Sequence, residues 1–151
     1  MKKVGLLIGV CLLAITGWAT EGWLTDMDLA TKKASKEGKH LLLDFSGSDW
    51  CGWCIRLDKE VFQKENWKEY ASEHLVQVLV DFPQDKSEQS KVLQAQNEAL
   101  AKQYKVKGFP TVIILSPEGR LVGRTGYQRG GATAYIKHIK SLISNDTASE
   151  E

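Results

Sequence analysis

The sequence carries no marked excess of charge of either sign: 20 Lys+Arg stand against 19 Asp+Glu in 151 residues, a formal charge of +1. That balance argues against a nucleic-acid partner recognised through a basic face. No apolar run reaches the ~20 residues that span a bilayer. Internal repeats and low-complexity stretches are missing, and the 42% hydrophobic and 26% charged fractions are those of a globular chain. Wholesale disorder, collagen-like repeats and coiled coil are thereby excluded, and the length suits one domain. Histidine and cysteine are scarce, with three of each.

The one long apolar stretch lies at the start. Met1-Lys2-Lys3 is followed by an apolar run from Val4 to Ile15 and then Thr16-Gly17-Trp18-Ala19, with small residues at −3 and −1 of a cut after Ala19. This is the layout of a secretory signal peptide over residues 1–19; an uncleaved anchor is the alternative, and the run is short for it. A lipoprotein site fits poorly, because Cys11 lies inside the apolar core behind the bulky Val10. Cleavage leaves 132 of the 151 residues, removes Lys2 and Lys3, and turns +1 into −1. Cys11 goes too, leaving Cys51 and Cys54. The mature protein is expected in the periplasm or otherwise outside the cytoplasm, with no membrane attachment. Its folded domain is expected over residues 20–143, with 144–151 a frayed, disordered acidic tail.

Thr25-Asp26-Met27-Asp28 reads as a capping-box start, with Met27, Ala30 and Ala34 at helical spacing and Gly38 as the stop. Leu41–Phe45 has the length and composition of a buried strand, and Ser46-Gly47-Ser48-Asp49 is a loop. From Cys51 the pattern turns helical, with Cys54, Leu57, Val61 and Phe62 on one face. A Val-rich strand runs from Leu75 to Phe82 and ends at Pro83. The polar stretch Gln84–Gln89 leads into a helix striped by Val92, Leu93, Ala95, Ala99, Leu100 and Tyr104. Thr111–Leu115 is a strand, Ser116-Pro117-Glu118-Gly119 a turn, and Arg120–Arg124 its hairpin partner. Ala132–Ile143 closes the chain as an amphipathic helix. Alternating elements followed by a hairpin predict an α/β fold, a mixed sheet with helices on both faces.

Chemistry concentrates in Cys51-Gly52-Trp53-Cys54. Two cysteines scattered at random over the mature chain would fall at this spacing about once in seventy trials. The spacing places both sulfurs within one helical turn. Cys51 falls at a helix N-terminus, where the dipole and free N–H groups favour the attacking thiolate; Cys54, one turn in and more buried, suits the resolving role. Three readings compete. A purely structural bridge would close too small a loop to stabilise much. A zinc site lacks two further ligands at metal spacing, since only His40, His74 and His138 remain. A c-type haem site needs His where Ile55 stands.

Trp50-Cys51-Gly52-Trp53-Cys54 after Leu43-Asp44-Phe45, with Gly108-Phe109-Pro110-Thr111 before an apolar strand, resembles the thioredoxin superfamily. Within it the resemblance is to small exported thioredoxin-like proteins and to the C-terminal domain of the periplasmic disulfide-reducing electron transporter. It covers nearly the whole mature chain, from about Gly22 to Ser144, and implies a thioredoxin fold. It further implies that Pro110 is a cis proline facing the disulfide, leaving the Phe109 backbone free to pair with an extended client segment. Trp50, Gly52 and Trp53 would flank the sulfurs as a docking surface; core packing is the other reading of the two tryptophans.

Asp44 lies mid-strand in an apolar run, where an unpaired carboxylate is costly. The family's matching Asp sits behind the buried cysteine and helps to move its proton. Here seven positions separate Asp44 from Cys51, one more than the family's usual spacing. Two readings therefore stand open: a proton-transfer group, or a strand-edge acid solvated by water. Two further departures are Trp53, where reductases carry Pro and oxidases or isomerases carry His, and the polar insertion Gln84–Gln89. With no imidazole in the motif to stabilise the thiolate, a strong oxidant is disfavoured. The expectation is an exported thiol–disulfide oxidoreductase that reduces or isomerises protein disulfides, with disulfide-containing client proteins and an upstream thiol electron donor as partners. It needs no metal or organic cofactor, because the dithiol is the redox group. A binding or chaperone-like module with a structural disulfide and a metal carrier using the cysteine pair are the alternatives.

Overall fold

The computed structural model describes residues 22–148; the signal segment, Cys11 and the last three residues of the tail lie outside them. Five strands and five helices follow one another as β1 (Trp23–Leu24), α1 (Met27–Glu37), β2 (His40–Ser46), α2 (Gly52–Leu57), α3 (Glu65–His74), β3 (Leu75–Asp81), α4 (Lys91–Gln103), β4 (Thr111–Leu115), β5 (Leu121–Thr125) and α5 (Gly131–Ala148). The sheet order is β1-β3-β2-β4-β5. β1 and β2 run parallel to β3, while β4 is antiparallel to both β2 and β5.

Local chemistry explains the boundaries. Asp26, rather than Thr25, caps α1: its Oδ1 accepts the Leu29 N–H at 2.9 Å. Ala30 and Ala34 bury their small faces completely, and Gly38 closes the helix at φ +65°, a left-handed conformation that a Cβ would penalise. Ser90 caps α4 by accepting the Leu93 N–H at 3.1 Å.

Alternation along β2 divides the core in two. Leu41, Leu43 and Phe45 pack with Ala30, Ala34, Val78 and Leu100 beneath α1 and α4. Leu42 packs with Leu57, Val61, Trp67, Tyr135 and Ile139 beneath α2, α3 and α5. Asp44 and Ser46 share the parity of Leu42, so they face the helices that follow the cysteines.

Three expectations need correction. The helical pattern from Cys51 does not run on as one helix: α2 gives way to a π-helical turn over Asp58–Phe62, and α3 starts afresh at Glu65. β1 is an additional two-residue edge strand. The last helix continues to Ala148, so residues 144–148 are helical rather than a frayed tail.

Trp67 ties α3 to the sheet. It is fully buried, stacks near Phe62 and Tyr135, and its Nε1 donates to Gln77 Oε1 on β3 at 2.8 Å. Trp67→Ala empties an aromatic volume and strands the Gln77 amide, so it is expected to lower stability by about 3–5 kcal/mol. Urea denaturation checks this; a loss below ~1 kcal/mol would contradict the assigned core role.

Candidate functional site

Cys51 and Cys54 are joined as a disulfide with Cα atoms 5.2 Å apart. Cys51 is the N-cap of α2, and its Sγ accepts the Cys54 N–H at 3.3 Å. An N–H so placed favours the thiolate form of the sulfur that accepts it. Both cysteines are nearly covered, at 7% exposure for Cys51 and 4% for Cys54. Gly52 opens α2 and is exposed, with free space where a Cβ would stand.

The disulfide lies between two aromatic groups. On one side Trp50 meets Phe109 edge-on at 5.9 Å, and Phe109 stacks on Phe82 at 5.2 Å. Trp50 is held there by its Nε1, which donates to Phe82 O at 2.8 Å. Its ring covers Gly47 so closely that a Cβ on that residue would sit 2.4 Å from the ring. On the other side Trp53 packs against Tyr127 at 5.1 Å, and the Arg56 guanidinium lies 5.5 Å from the Trp53 ring. Glu60 fastens this group, accepting from Tyr127 Oη at 2.6 Å and from Arg56 Nε at 2.7 Å. Trp50 and Trp53 are about half exposed, so core packing is overturned for both. The Phe109–Pro110 bond is cis, and Thr111 Oγ1 donates to Gly108 O at 2.7 Å beside it.

The longer loop before Cys51 and the polar insertion brace each other. Ser48 donates its N–H and Oγ to the Asp81 carboxylate at 2.9 and 2.5 Å. Asp49 accepts the Gln84 and Asp85 N–H groups at 2.9 and 3.0 Å, and these hold its carboxyl below the usual range. Gln84 and Asp85 thus tie the polar insertion to the cysteine loop.

Asp44 is not a strand-edge acid. It sits on the central strand between Leu79 and Val112, is 6% exposed, and its Oδ1 has no hydrogen-bond partner. Together with Cys54, Ser46, Ser48 and Asp58 it lines a cavity of about 190 Å³ beneath the disulfide. Burial, and then the negative charges of Asp58 and Asp81, push its carboxyl up to about 8. Among the described residues no group of three or more His, Cys, Asp and Glu could hold a metal ion.

The structure thus brings Cys51, Cys54, Asp44, Trp50, Gly52, Trp53, Phe109 and Pro110 to one region. Sequence reasoning missed Arg56, Glu60, Phe82 and Tyr127. The Arg56–Glu60 pair at i,i+4 was a readable signal, whereas Tyr127 reaches Glu60 across 67 positions and left none.

The sign of one pH effect follows from Asp44. Its carboxyl binds a proton up to about pH 8 in the native state but only to about pH 4 when unfolded. Between those values the unfolded chain holds fewer protons, so this group's contribution to stability falls as pH rises. Asp44→Asn is expected to be more stable than wild type, by a margin that widens from about pH 4 to about pH 8 and is then constant. Denaturant titrations across pH measure it; a margin independent of pH would contradict the burial of the acid.

Comparison with known proteins agrees with this geometry. Residues 27–140 match the Thioredoxin-like domain family. The chain is 39% identical over 114 residues to a protein named Disulfide bond reductase DsbH from Chlamydia pneumoniae, covering 76% of this chain and 68% of that one. It is 33% identical to Thioredoxin-related protein DsbJ of the same organism, covering 80% of this chain but only 36% of that longer protein. A solved structure titled DsbH Oxidoreductase superposes with a TM-score of 0.77 at 32% identity, covering 94% of this chain and 95% of the other. The chain belongs to the thioredoxin-like family and is a thiol–disulfide oxidoreductase with a thioredoxin fold.

Proposed function

We propose that this oxidoreductase works outside the cytoplasm as a reductase of protein disulfides. The observation that carries the reading is the bonded Cys51–Cys54 pair at a helix N-cap, directly above a buried carboxyl and between two exposed aromatic groups. Cys51 as thiolate attacks a client disulfide and forms a mixed disulfide, releasing one client thiolate. Cys54 gives its proton to Asp44, attacks Cys51 Sγ, and releases the second client sulfur. Two electrons pass from the enzyme's dithiol to the client, and an upstream thiol donor restores the dithiol. No metal or organic cofactor takes part.

Trp50, Gly52, Trp53, Phe109 and Pro110 form the client-facing surface. The Phe109 backbone offers pairing to an extended segment, and the two aromatic groups offer apolar contact on either side of the sulfurs. Reduction rather than oxidation is favoured because Trp53 occupies the place where an imidazole would stabilise the thiolate. The similarity to a protein named a disulfide bond reductase points the same way. Export rests on the basic start, short apolar run and small residues before Thr20. No helix among the described residues is long and apolar enough to cross a membrane.

Cys54→Ser separates the two chemical steps. It leaves the attack intact and stalls resolution, so the variant, expressed in its own compartment, is expected to accumulate covalent adducts with client proteins that dissolve under reductant. Cys51→Ser is expected to form none, because the deeper thiol does not reach a client. Non-reducing gels with mass identification of the trapped bands give the answer. Equal adduct yields from the two variants would contradict the assigned roles and favour a structural bridge.

A further inference from the structure

A second carboxyl shares the cavity under the disulfide. Asp58 follows Cys54 by four positions and so lies on the same helix face; its backbone N–H donates to Cys54 O and Ile55 O. It starts the π-helical turn, a feature often found where a side chain has been re-aimed at a site. The cavity is lined by Asp44, Asp58, Cys54 and two serines, and about 190 Å³ is ample for water. Asp44, which lines this cavity, has a buried Oδ1 without a hydrogen-bond partner, and Asp58 is the less buried of the two acids.

We propose that Asp58 is a positioning residue for the resolving step, its charge acting across the cavity to set the pH at which Asp44 takes the proton of Cys54. The inference rests on the reductase reading above. In the mixed disulfide the Cys54 S–H proton moves to the Asp44 carboxylate. The Cys54 sulfur bonds to Cys51 Sγ, the Cys51–client bond breaks, and the client leaves as a thiolate. The proton on Asp44 then passes to solvent. A like charge nearby makes Asp44 a stronger base, closer in proton affinity to the thiol it serves.

Other charged groups around the pair are accounted for. Asp81, at the end of β3, also acts on Asp44, but its carboxylate is engaged by Ser48. Tyr135 of α5 donates its hydroxyl to Gly126 O. Burial raises Asp58 itself, while a hydrogen bond from Gln63 and the charge of Lys59 favour its ionised form.

The test uses the full-length mature chain and two readouts. Carbon-13 NMR follows the Asp44 carboxyl through pH, and absorbance follows release of thionitrobenzoate from its mixed disulfide with Cys51. Asp58→Asn is expected to lower the Asp44 midpoint by about one pH unit and to move the acid limb of thionitrobenzoate release by the same amount. Asp58→Glu and Gln63→Leu, which keep the charge, are expected to match wild type. An unmoved midpoint in Asp58→Asn, or an equal shift in Gln63→Leu, overturns the proposal. If wild type never releases thionitrobenzoate, the reductase reading fails and this inference with it. Normal release with an unmoved midpoint fails the inference alone.

Discussion

A carboxyl group with no hydrogen-bond partner in the middle of a five-stranded sheet costs the fold free energy whenever it ionises. Asp44 occupies such a place on β2, flanked by the apolar Leu79 and Val112 of the neighbouring strands. Leu43 and Phe45, on either side of it in the chain, pack into the opposite core, so the strand is fixed and the acid has nowhere to turn. That forced burial pushes the Asp44 carboxyl up to about 8, and the parity of β2 places it in one cavity lining with Cys54.

The surface above the disulfide depends on an equally specific arrangement. The cysteine loop carries one more residue than the family's usual spacing, and the added length is fastened to the end of β3 and the segment after it through Ser48–Asp81, Asp49–Gln84 and Trp50–Phe82. The bare Cα of Gly47 lets the Trp50 ring lie flat against the loop. The result is an aromatic ledge of Trp50, Phe109 and Phe82 drawn from three separate stretches of chain. Opposite it, Trp53 and Tyr127 are held by the Arg56–Glu60 pair. Aromatic rings therefore border the disulfide on both sides, with the Arg56–Glu60 pair behind one of them.

Much of this was legible in the sequence because it rests on local signals. The run Val112-Ile113-Ile114-Leu115 has no soluble alternative to a buried strand, and β4 spans the expected Thr111–Leu115. Ala30, Ala34 and Gly38 announce a helix and its end by spacing and backbone freedom. The cysteine spacing names its own chemistry. What escaped detection was tertiary. β1 is two residues held only by pairing with Gln77 and Val78, too short to show a period. The break after Leu57 was hidden because a π-helical turn keeps Val61 and Phe62 buried, so the apolar stripe continues while the hydrogen bonding changes. Asp44 was readable as an expensive acid, but its place beneath Cys54 depends on sheet order, and Tyr127 joins the site only through the folded chain.

The direction in which electrons flow between this protein and a disulfide is set by the equilibrium reduction potential of the Cys51–Cys54 couple. The mature protein would be equilibrated with glutathione or dithiothreitol buffers and the thiols trapped and counted by mass. A reductase requires a reducing couple, expected near the roughly −270 mV of thioredoxin. A potential near the roughly −120 mV of a strongly oxidising couple would contradict it.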